Sequence, residues 1–310
     1  MSAPSVSVAV PLYNKAVFII DTVRSALAQS VSDLEIVVVD DGSVDGGADR
    51  LCTITDPRLR VIRQDNAGVA SARTRATREG RGRYVAFLDA DDLWHPEHLY
   101  HLMEMSARFP QATLFGNSFA QGVAGESWPA SKEPVQYRLV DEFFAECAAG
   151  RAPLYTSSCM VLRERAIALG GFPVGGYCGE DLALWIKLAA EAPVAVSNFI
   201  GCHYRRGIDS LSRQSSYRNA PDISMATLLD LLKRSDWPDS RKRDVREYYY
   251  RLSLAHCLDC LHAGEMDEAR SFLKLASGTR TQRRRIWQAR AIAVMPAPIR
   301  RAAFQVLTRT

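Results

Sequence analysis

The sequence contains no apolar run of the roughly 20 residues that a membrane-spanning helix requires. A secretory start is also missing, because the opening MSAPSVSVAVPLYNK has no basic segment and reaches Pro11 and Asn14 before an apolar core could form. The seven cysteines are an odd number without framework spacing, which argues against a disulfide scaffold. These absences predict a cytoplasmic protein with free thiols, one that can still contact a membrane surface.

Glycine is absent from the places where two common nucleotide-binding classes need it. A sugar nucleotidyltransferase would need a glycine-rich phosphate loop after its first strand, and VPLYNK (residues 10–15) has no glycine. A dinucleotide-binding oxidoreductase would need G-x-G-x-x-G after an early strand, and the sequence has none there. Both enzyme classes are therefore excluded.

Acidic residues are absent from Arg270 to Thr310, which contain ten basic residues. Residues 241–310 hold 15 Lys or Arg against 6 Asp or Glu, whereas residues 1–240 hold 24 against 29, so the two parts face different partners. A basic amphipathic segment with an aromatic residue is typical of an anionic membrane surface, and also of a helix packed on the core. No nucleic-acid module accompanies it, so we expect no nucleic-acid partner. The tail mixes its arginine clusters with apolar residues that include Ile286, Trp287, Val294, Ile299 and Phe304.

The sequence begins with an alternation of strand-like and helix-like runs. Its composition, 47% apolar and 24% charged, is ordinary for a globular protein. Strand-like runs at 5–13, 34–41, 58–64 and 84–88 are separated by helical or turn segments. This order predicts an α/β fold with a parallel sheet and helices on both faces. The chain turns helical after about residue 215, with one helix pair joined near Gly264. We therefore expect two domains, 1–215 and a basic helical region, 216–310.

Polar side chains follow each of the four predicted strands, at the carboxyl ends where parallel sheets bind ligands. Any one of them alone is typical of a helix cap or a turn, and Asn14 lies where an N-cap belongs. Together they predict one crevice lined by carboxylates and amides. These residues are Asn14, Asp40, Asp41, Asp65, Asn66, Asp89 and Asp91.

Asp89 and Asp91 follow the buried run YVAFL directly, which crowds negative charge at a strand tip. Alternate carboxylates can reach one hard cation, and Mg²⁺ or Mn²⁺ keeps positions open for substrate phosphates. A cation held there would stabilise a diphosphate leaving group. The pair therefore predicts a divalent metal site.

Five ordered segments carry a family resemblance: VAVPLYNK, EIVVVDDGSVD, DNAGVASAR, YVAFLDADDLWHP and GEDLALWIKLA. Over about residues 5–215 the sequence resembles the family-2 inverting glycosyltransferases. The resemblance implies the GT-A fold, with a Rossmann-like, mostly parallel central sheet. It also implies a metal-dependent, hexosyltransferase-type enzyme that uses a nucleotide-diphosphate sugar.

The same resemblance implies roles for individual residues. Asp91 and Asp89 would form the Asp-x-Asp metal element with Mn²⁺ or Mg²⁺, and Asp91 would make the direct contact. Asp181 would be the catalytic base, with Glu180 beside it. Residues expected to bind the nucleotide sugar are Pro11, Tyr13, Asn14, Asp41, Asp65, Asn66, Arg73, Asp89 and Ala90.

The sequence departs from the family pattern at two points. Thr74 follows Arg73 where the family often has Asn, which puts one secondary polar contact in doubt. The segment QRRRIW (282–287) has Ile286 where the membrane-embedded polysaccharide synthases have the Trp of Gln-x-x-Arg-Trp. We therefore expect an enzyme that adds single sugars.

The chemistry of inversion gives independent meaning to Asp181. A carboxylate on the far side of the sugar from the leaving diphosphate deprotonates the acceptor hydroxyl. The alternative is that Asp181 only caps a helix, since carboxylates are favoured at helix N-termini.

The expected function is sugar transfer, from a UDP-sugar in particular, to a hydroxyl acceptor in bacterial surface polysaccharide synthesis. The acceptor would be a glycan or lipid-linked glycan, which places the enzyme in the cytoplasm or peripherally on the inner face of the cell membrane. The alternative is a non-catalytic sugar-nucleotide-binding or scaffold protein.

Two weaker patterns remain. Cys257 and Cys260 have Cys-x-x-Cys spacing inside a predicted helix, where two small residues pack more often than they bind zinc. His203, Arg205 and Arg206 lie where family members often have a loop over the diphosphate, although a lone His is more often a satisfied polar residue.

Overall fold

The computed structural model describes residues 3–122, 133–151, 154–175, 178–205 and 222–295. The chain forms two compact units. The first comprises Met1–Asp141, Pro153–Gly175 and Glu180–Ile208, and the second comprises Glu142–Ala152, Gly176–Gly179 and Asp209–Thr310. The predicted domain boundary at residue 215 lies outside the described residues.

The first four strands of the first unit are parallel and lie in the order β3-β2-β1-β4. Every residue of β1, β2 and β4 is buried, which explains their continuous apolar runs. The predicted alternation of strands and helices is confirmed here. The strands are β1 (Val6–Leu12), β2 (Leu34–Asp41), β3 (Leu59–Gln64) and β4 (Tyr84–Phe87), connected through α1 (Ile19–Leu27), α2 (Gly47–Arg50), a 3₁₀ turn (Leu51–Thr53) and α3 (Val69–Glu79).

Beyond β4 the sheet becomes mixed. Strand β8 (Cys159–Leu162) runs antiparallel to β4 and to β6 (Leu114–Gly122). Strand β9 (Val194–Arg205) is parallel to β6 but antiparallel to β5 (Leu93–Trp94) and β7 (Tyr137–Val140). The helices of this half are α4 (His98–Arg108), α6 (Arg163–Ala168) and α7 (Glu180–Glu191), and α5 belongs to the second unit.

The core of the first unit lies against the sheet. Val8, Val10, Ile36 and Val38 are fully buried in it, with Leu99 and Leu102 of α4. Helix α7 buries Leu184, Trp185 and Leu188 completely, as its sequence pattern predicts. Trp185 also packs against Phe87 and Phe172, so α7 is fixed beside the end of β4. Its N-terminus, which carries Glu180 and Asp181, is therefore held by aromatic packing.

The second unit is helical among its described residues. Helices α9 and α10 are joined at Gly264, whose φ of 87° a residue with a side chain rarely adopts. Cys257 and Cys260 are buried in an apolar cluster with residues of α10 and α11, which confirms the packing interpretation. The helices are α5 (Phe143–Ala149), α8 (Ile223–Leu231), α9 (Asp239–Ala263), α10 (Met266–Ala276) and α11 (Arg283–Ala293).

Helix α11 is amphipathic. Ile286, Ala289 and Ile292 are buried in the cluster of the second unit, whereas Trp287 is 70% exposed. Val294, just after the helix, is also exposed. Ile299 and Phe304 lie outside the described residues. Within the described part of the chain, no helix combines the length and apolar character needed to cross a membrane.

Candidate active site

The loop after β1 holds three predicted site residues. Pro11 is buried in β1 opposite Val39, whereas Tyr13 is exposed. Asn14 adopts a left-handed backbone conformation, with φ 50°, and its Oδ1 accepts a hydrogen bond from Val44 N at 2.9 Å. The N-cap prediction for Asn14 is wrong, because Phe18 is the N-cap of α1 and Asn14 instead ties the loops after β1 and β2 together.

Asp41 lies at the tip of β2 and is almost fully buried. Its carboxylate accepts hydrogen bonds from Ala67 N and Gly68 N, both at 2.9 Å, and from Gln64 Nε2 at 2.7 Å. Asp41 therefore fixes the start of α3. Asp65 and Asn66 lie in the exposed loop immediately before it, at the same edge of the sheet.

Three carboxylates follow β4, and each has different partners. Asp91 Oδ2 lies 2.7 Å from Lys15 Nζ. Asp89 Oδ1 accepts a hydrogen bond from Arg73 at 2.7 Å, while the intervening Ala90 is buried and its carbonyl accepts one from Thr22.

Asp92, to which sequence reasoning assigned no role, is completely buried. Its Oδ2 accepts hydrogen bonds from Tyr155 Oη and Ser157 Oγ, both at 2.6 Å. Burial raises the pKa of Asp92 to about 8, and the neighbouring charges of Asp89 and Asp91 add to the shift. Asp92 thus anchors the loop that carries Asp89 and Asp91 to the segment 155–157.

Arg73 joins the end of β4 to the start of α7. Its guanidinium donates to Asp89 Oδ1 at 2.7 Å and to Glu180 Oε1 at 2.8 Å, and its side chain is only 6% exposed. Burial alone would lower the pKa of Arg73, but the charges of Asp89 and Glu180 outweigh it and raise that pKa. Among the residues that the structure describes, the buried Arg73 Nε has no hydrogen-bond partner, so the two ion pairs carry the polar contacts of this guanidinium.

Thr74, which departs from the family pattern, also supports the Arg73 side chain. Thr74 Oγ1 accepts a hydrogen bond from Phe172 N at 3.0 Å and lies 3.3 Å from Phe172 O. The Phe172 ring lies under the Arg73 guanidinium, at 5.5 Å from its centroid. Gly171 has a φ of 74°, and a side chain there would meet Thr74. Thr74 therefore positions the aromatic surface on which Arg73 rests.

Glu180 and Asp181 begin α7, where the helix dipole favours negative charge. Burial raises the pKa of Glu180, and the adjacent Asp181 raises it further against the opposing effect of Arg73. Asp181 Oδ2 accepts a hydrogen bond from Thr156 Oγ1 at 2.7 Å. Because Thr156 precedes Ser157, which holds Asp92 and accepts from Asp89 N at 3.0 Å, the strand-tip carboxylates and Asp181 share one polar network.

Sequence reasoning missed several members of this network. The stretch YTSS (155–158) carries no motif spacing that would single it out, and only folding brings it between β4 and α7. Arg205 was predicted only to belong to a loop over the diphosphate. Its Nε donates a hydrogen bond to Asp91 O at 2.5 Å, and its guanidinium lies over the Phe18 ring. His203 is buried in β9, and Arg206 lies outside the described residues.

A divalent cation at this site would need oxygen ligands from the carboxylates after β4. Within the described ranges, no group of three or more His, Cys, Asp or Glu side chains could by itself hold a metal ion. Mg²⁺ is commonly bound through only one or two carboxylates together with substrate phosphates. The Asp91 carboxylate is an oxygen donor that is partly exposed, so the residues fit a cation whose other ligands are waters or substrate phosphates.

A sequence profile described as "Glycosyl transferase family 2" matches residues 7–169, slightly more than half of the chain. The chain is 43% identical over 113 residues to "Putative teichuronic acid biosynthesis glycosyltransferase TuaG" of Bacillus subtilis, covering 34% of this chain and 45% of the relative. It is 41% identical over 102 residues to "Succinoglycan biosynthesis protein ExoO" of Rhizobium meliloti, covering 33% and 29%. The matched region thus spans less than half the length of these curated relatives.

Solved structures extend the likeness to nearly the whole chain. The S. aureus TarS 1–349 complex with UDP-GlcNAc superposes with a TM-score of 0.70 at 18% identity, covering 98% of this chain and 92% of that one. The mannosyltransferase PcManGT from Pyrobaculum calidifontis, in complex with GDP-Man and Mn²⁺, gives 0.60 at 20% identity, covering 99% and 87%. At these identities the likeness concerns the fold, and the expected GT-A fold is confirmed.

Proposed function

Because the chain belongs to glycosyl transferase family 2, we propose that it transfers a sugar from a UDP-sugar to a hydroxyl acceptor with inversion at the anomeric carbon. The observation that carries the proposal is the Arg73 bridge between Asp89 and Glu180. Asp181, the acid that would activate the acceptor, follows Glu180 directly and accepts a hydrogen bond from Thr156, so it belongs to the same network as the carboxylate that would face the leaving diphosphate.

In this mechanism Asp181 is the general base. Its carboxylate takes the proton of the acceptor hydroxyl as the oxygen attacks the anomeric carbon and the bond to the diphosphate breaks. Thr156 Oγ1 donates a hydrogen bond to Oδ2 and Leu182 N donates one to Oδ1, so both contacts fix the orientation of the carboxylate, and a remaining lone pair would take the proton of the acceptor. Glu180, kept beside Arg73, contributes to positioning the sugar.

The donor would lie along the carboxyl ends of β1 to β4. Pro11, Tyr13 and Asp41 would line the nucleobase pocket, with Asn14, Asp65, Asn66 and Ala90 shaping the surrounding loops. Asp91, assisted by Asp89, would hold Mn²⁺ or Mg²⁺, which when bound neutralises charge on the leaving diphosphate. Asp89 is already paired with Arg73, which supports Asp91 as the residue that would contact the cation directly.

The acceptor we propose is a glycan or lipid-linked glycan of a bacterial surface polysaccharide. The names of TuaG and ExoO, which refer to teichuronic acid and succinoglycan biosynthesis, support this choice. The basic C-terminal region, with Trp287 and Val294 exposed, would place the enzyme on an anionic inner leaflet beside such an acceptor. We keep the division into a transferase domain, 1–215, and a basic helical region, 216–310, as part of the proposal.

A panel of nucleotide sugars, screened for thermal stabilisation with Mn²⁺ present, identifies the donor. A ligand at 100 times its Kd stabilises the folded state by about 2.7 kcal/mol. Donor hydrolysis or transfer is then measured for the wild type, Asp91→Ala and Asp181→Ala, with Mn²⁺ and with chelator.

We expect both variants to lose turnover and Asp181→Ala to keep donor binding. Binding without turnover in the wild type would support the alternative, a non-catalytic sugar-nucleotide-binding or scaffold protein. Stabilisation by no nucleotide sugar would contradict the proposal.

A further inference from the structure

Each of the three carboxylates after β4 has its own partner, but only one of those partners can leave easily. Asp89 is paired with Arg73, which is almost fully buried and shared with Glu180. Asp92 is fully buried under the hydroxyls of Tyr155 and Ser157. Removing Arg73 would leave the buried charge of two carboxylates uncompensated, and removing a hydroxyl from Asp92 would take away a buried hydrogen bond, so both exchanges are unfavourable.

Asp91 differs from Asp89 in its partner, because Arg73 is only 6% exposed whereas the two carboxylates have similar exposures. The Asp91 side chain is 19% exposed and that of Lys15 is 20% exposed, with 2.7 Å between Oδ2 and Nζ. A lysine ammonium is a compact, strongly hydrated charge on a flexible stem, so Lys15 can regain water more readily than the buried guanidinium of Arg73, which is shared by two carboxylates. The Lys15–Asp91 pair is therefore the exchangeable one of the three.

The backbone on both sides of this pair is fixed. The Lys15 carbonyl accepts hydrogen bonds from Phe18 N and Ile19 N, both at 3.0 Å, at the start of α1. The Asp91 carbonyl accepts one from Arg205 Nε at 2.5 Å. A rotation of the Lys15 side chain alone can therefore free the Asp91 carboxylate. Because both backbones are fixed, the ammonium then remains near this carboxylate.

We propose that Lys15 is a displaceable counter-ion of Asp91: it holds the carboxylate before the donor binds, gives it up to a divalent cation, and then contacts the donor diphosphate. This inference rests on the proposed function for the nature of the donor. It assigns Lys15 opposite effects on two ligands, since the ammonium competes with a cation for Asp91 but attracts phosphate. A merely structural role would not produce opposite effects.

The test is calorimetric titration of the full chain, first with MnCl₂ alone and then with UDP at saturating Mn²⁺. Lys15→Met removes the charge and keeps an unbranched stem. Lys233→Met is the matched control, because Lys233 also pairs with an aspartate, Asp230, at 2.7 Å, on the exposed surface of α8. Asp91→Asn serves as the variant that lacks the carboxylate.

We expect Lys15→Met to bind Mn²⁺ about threefold to tenfold more tightly than the wild type and to bind UDP about tenfold more weakly. Lys233→Met should match the wild type in both titrations, and Asp91→Asn should lose Mn²⁺ binding. Unchanged or weaker Mn²⁺ binding by Lys15→Met would overturn the proposal, as would unchanged UDP binding. If no protein binds Mn²⁺, the exchange is also refuted, and UDP titrated into the metal-free wild type then shows separately whether the donor site of the proposed function stands.

Discussion

Replacing Arg73 with methionine should destabilise the first compact unit more than any exposed arginine substitution on the same helix. The variant keeps the apolar stem but leaves Asp89 and Glu180 without their shared cation. Both carboxylates are largely buried, with side-chain exposures of 22% and 12%. Removing one partner of a buried ion pair costs about 3–5 kcal/mol, because the remaining charge is left uncompensated. We expect a loss in that range.

Urea unfolding at pH 7 measures this loss, with Arg78→Met as the control, since Arg78 is exposed on α3. The deficit should shrink as the pH falls, because protonation of Glu180, whose pKa is already raised by burial, removes the uncompensated charge. Adding Asp89→Asn and Glu180→Gln to Arg73→Met should recover part of the stability at pH 7. An Arg73→Met loss within about 1 kcal/mol of that of Arg78→Met would refute the reasoning, because surface substitutions stay near that size.

Three further predictions concern other parts of the network and the two cores. Thr156→Val should lower kcat about tenfold with little change in donor KM, because Asp181 loses the hydrogen bond to its Oδ2. Thr156→Ser should restore kcat, and an equal loss of kcat in both variants would contradict this role. Burial lowers the pKa of His98 to about 3, so the unfolded state binds more protons below pH 6.5. The wild type should then lose about 1.4 kcal/mol per pH unit between pH 6 and 4 relative to His98→Gln in urea unfolding, and parallel pH profiles would exclude this role. Glu247→Gln should cost the second unit about 1–3 kcal/mol in thermal unfolding, because Glu247 accepts hydrogen bonds from Thr279, Arg280 N and Thr281 before α11, whereas the exposed Glu268→Gln should be neutral.

Three strands of the parallel half of the sheet, β1, β2 and β4, were predictable because they are buried on both faces. Continuous runs such as LEIVVVDD have few alternatives, and the polar residues after them must then lie at one edge. The antiparallel half was not predictable, since strands such as β5, with two residues, and β7, with four, give no periodic pattern. Their place is decided by pairing with β9, which is distant in sequence.

The candidate site shows the same division. Asp89 and Asp91 could be selected from the sequence because acidic residues at strand tips have recognisable chemistry, and Asp181 could be selected because GEDLALW resembles a family motif. Thr156 and Ser157 could not, because a hydroxyl in a short 3₁₀ turn has no distinguishing pattern until the chain folds. Asn14 shows the opposite error, since its type suggested a cap but its left-handed backbone assigns it to a loop-to-loop contact.

The most direct test of the account is the anomeric configuration of the sugar released or transferred from a UDP-α-sugar, followed by proton NMR for the wild type and Asp181→Asn. We predict a β-configured first product from the wild type. Asp181→Asn should turn over about 10²–10⁴-fold more slowly while binding UDP as tightly as the wild type. An α-configured first product, or an Asp181→Asn enzyme with unchanged turnover, would contradict the assignment of Asp181 as the base of an inverting transfer.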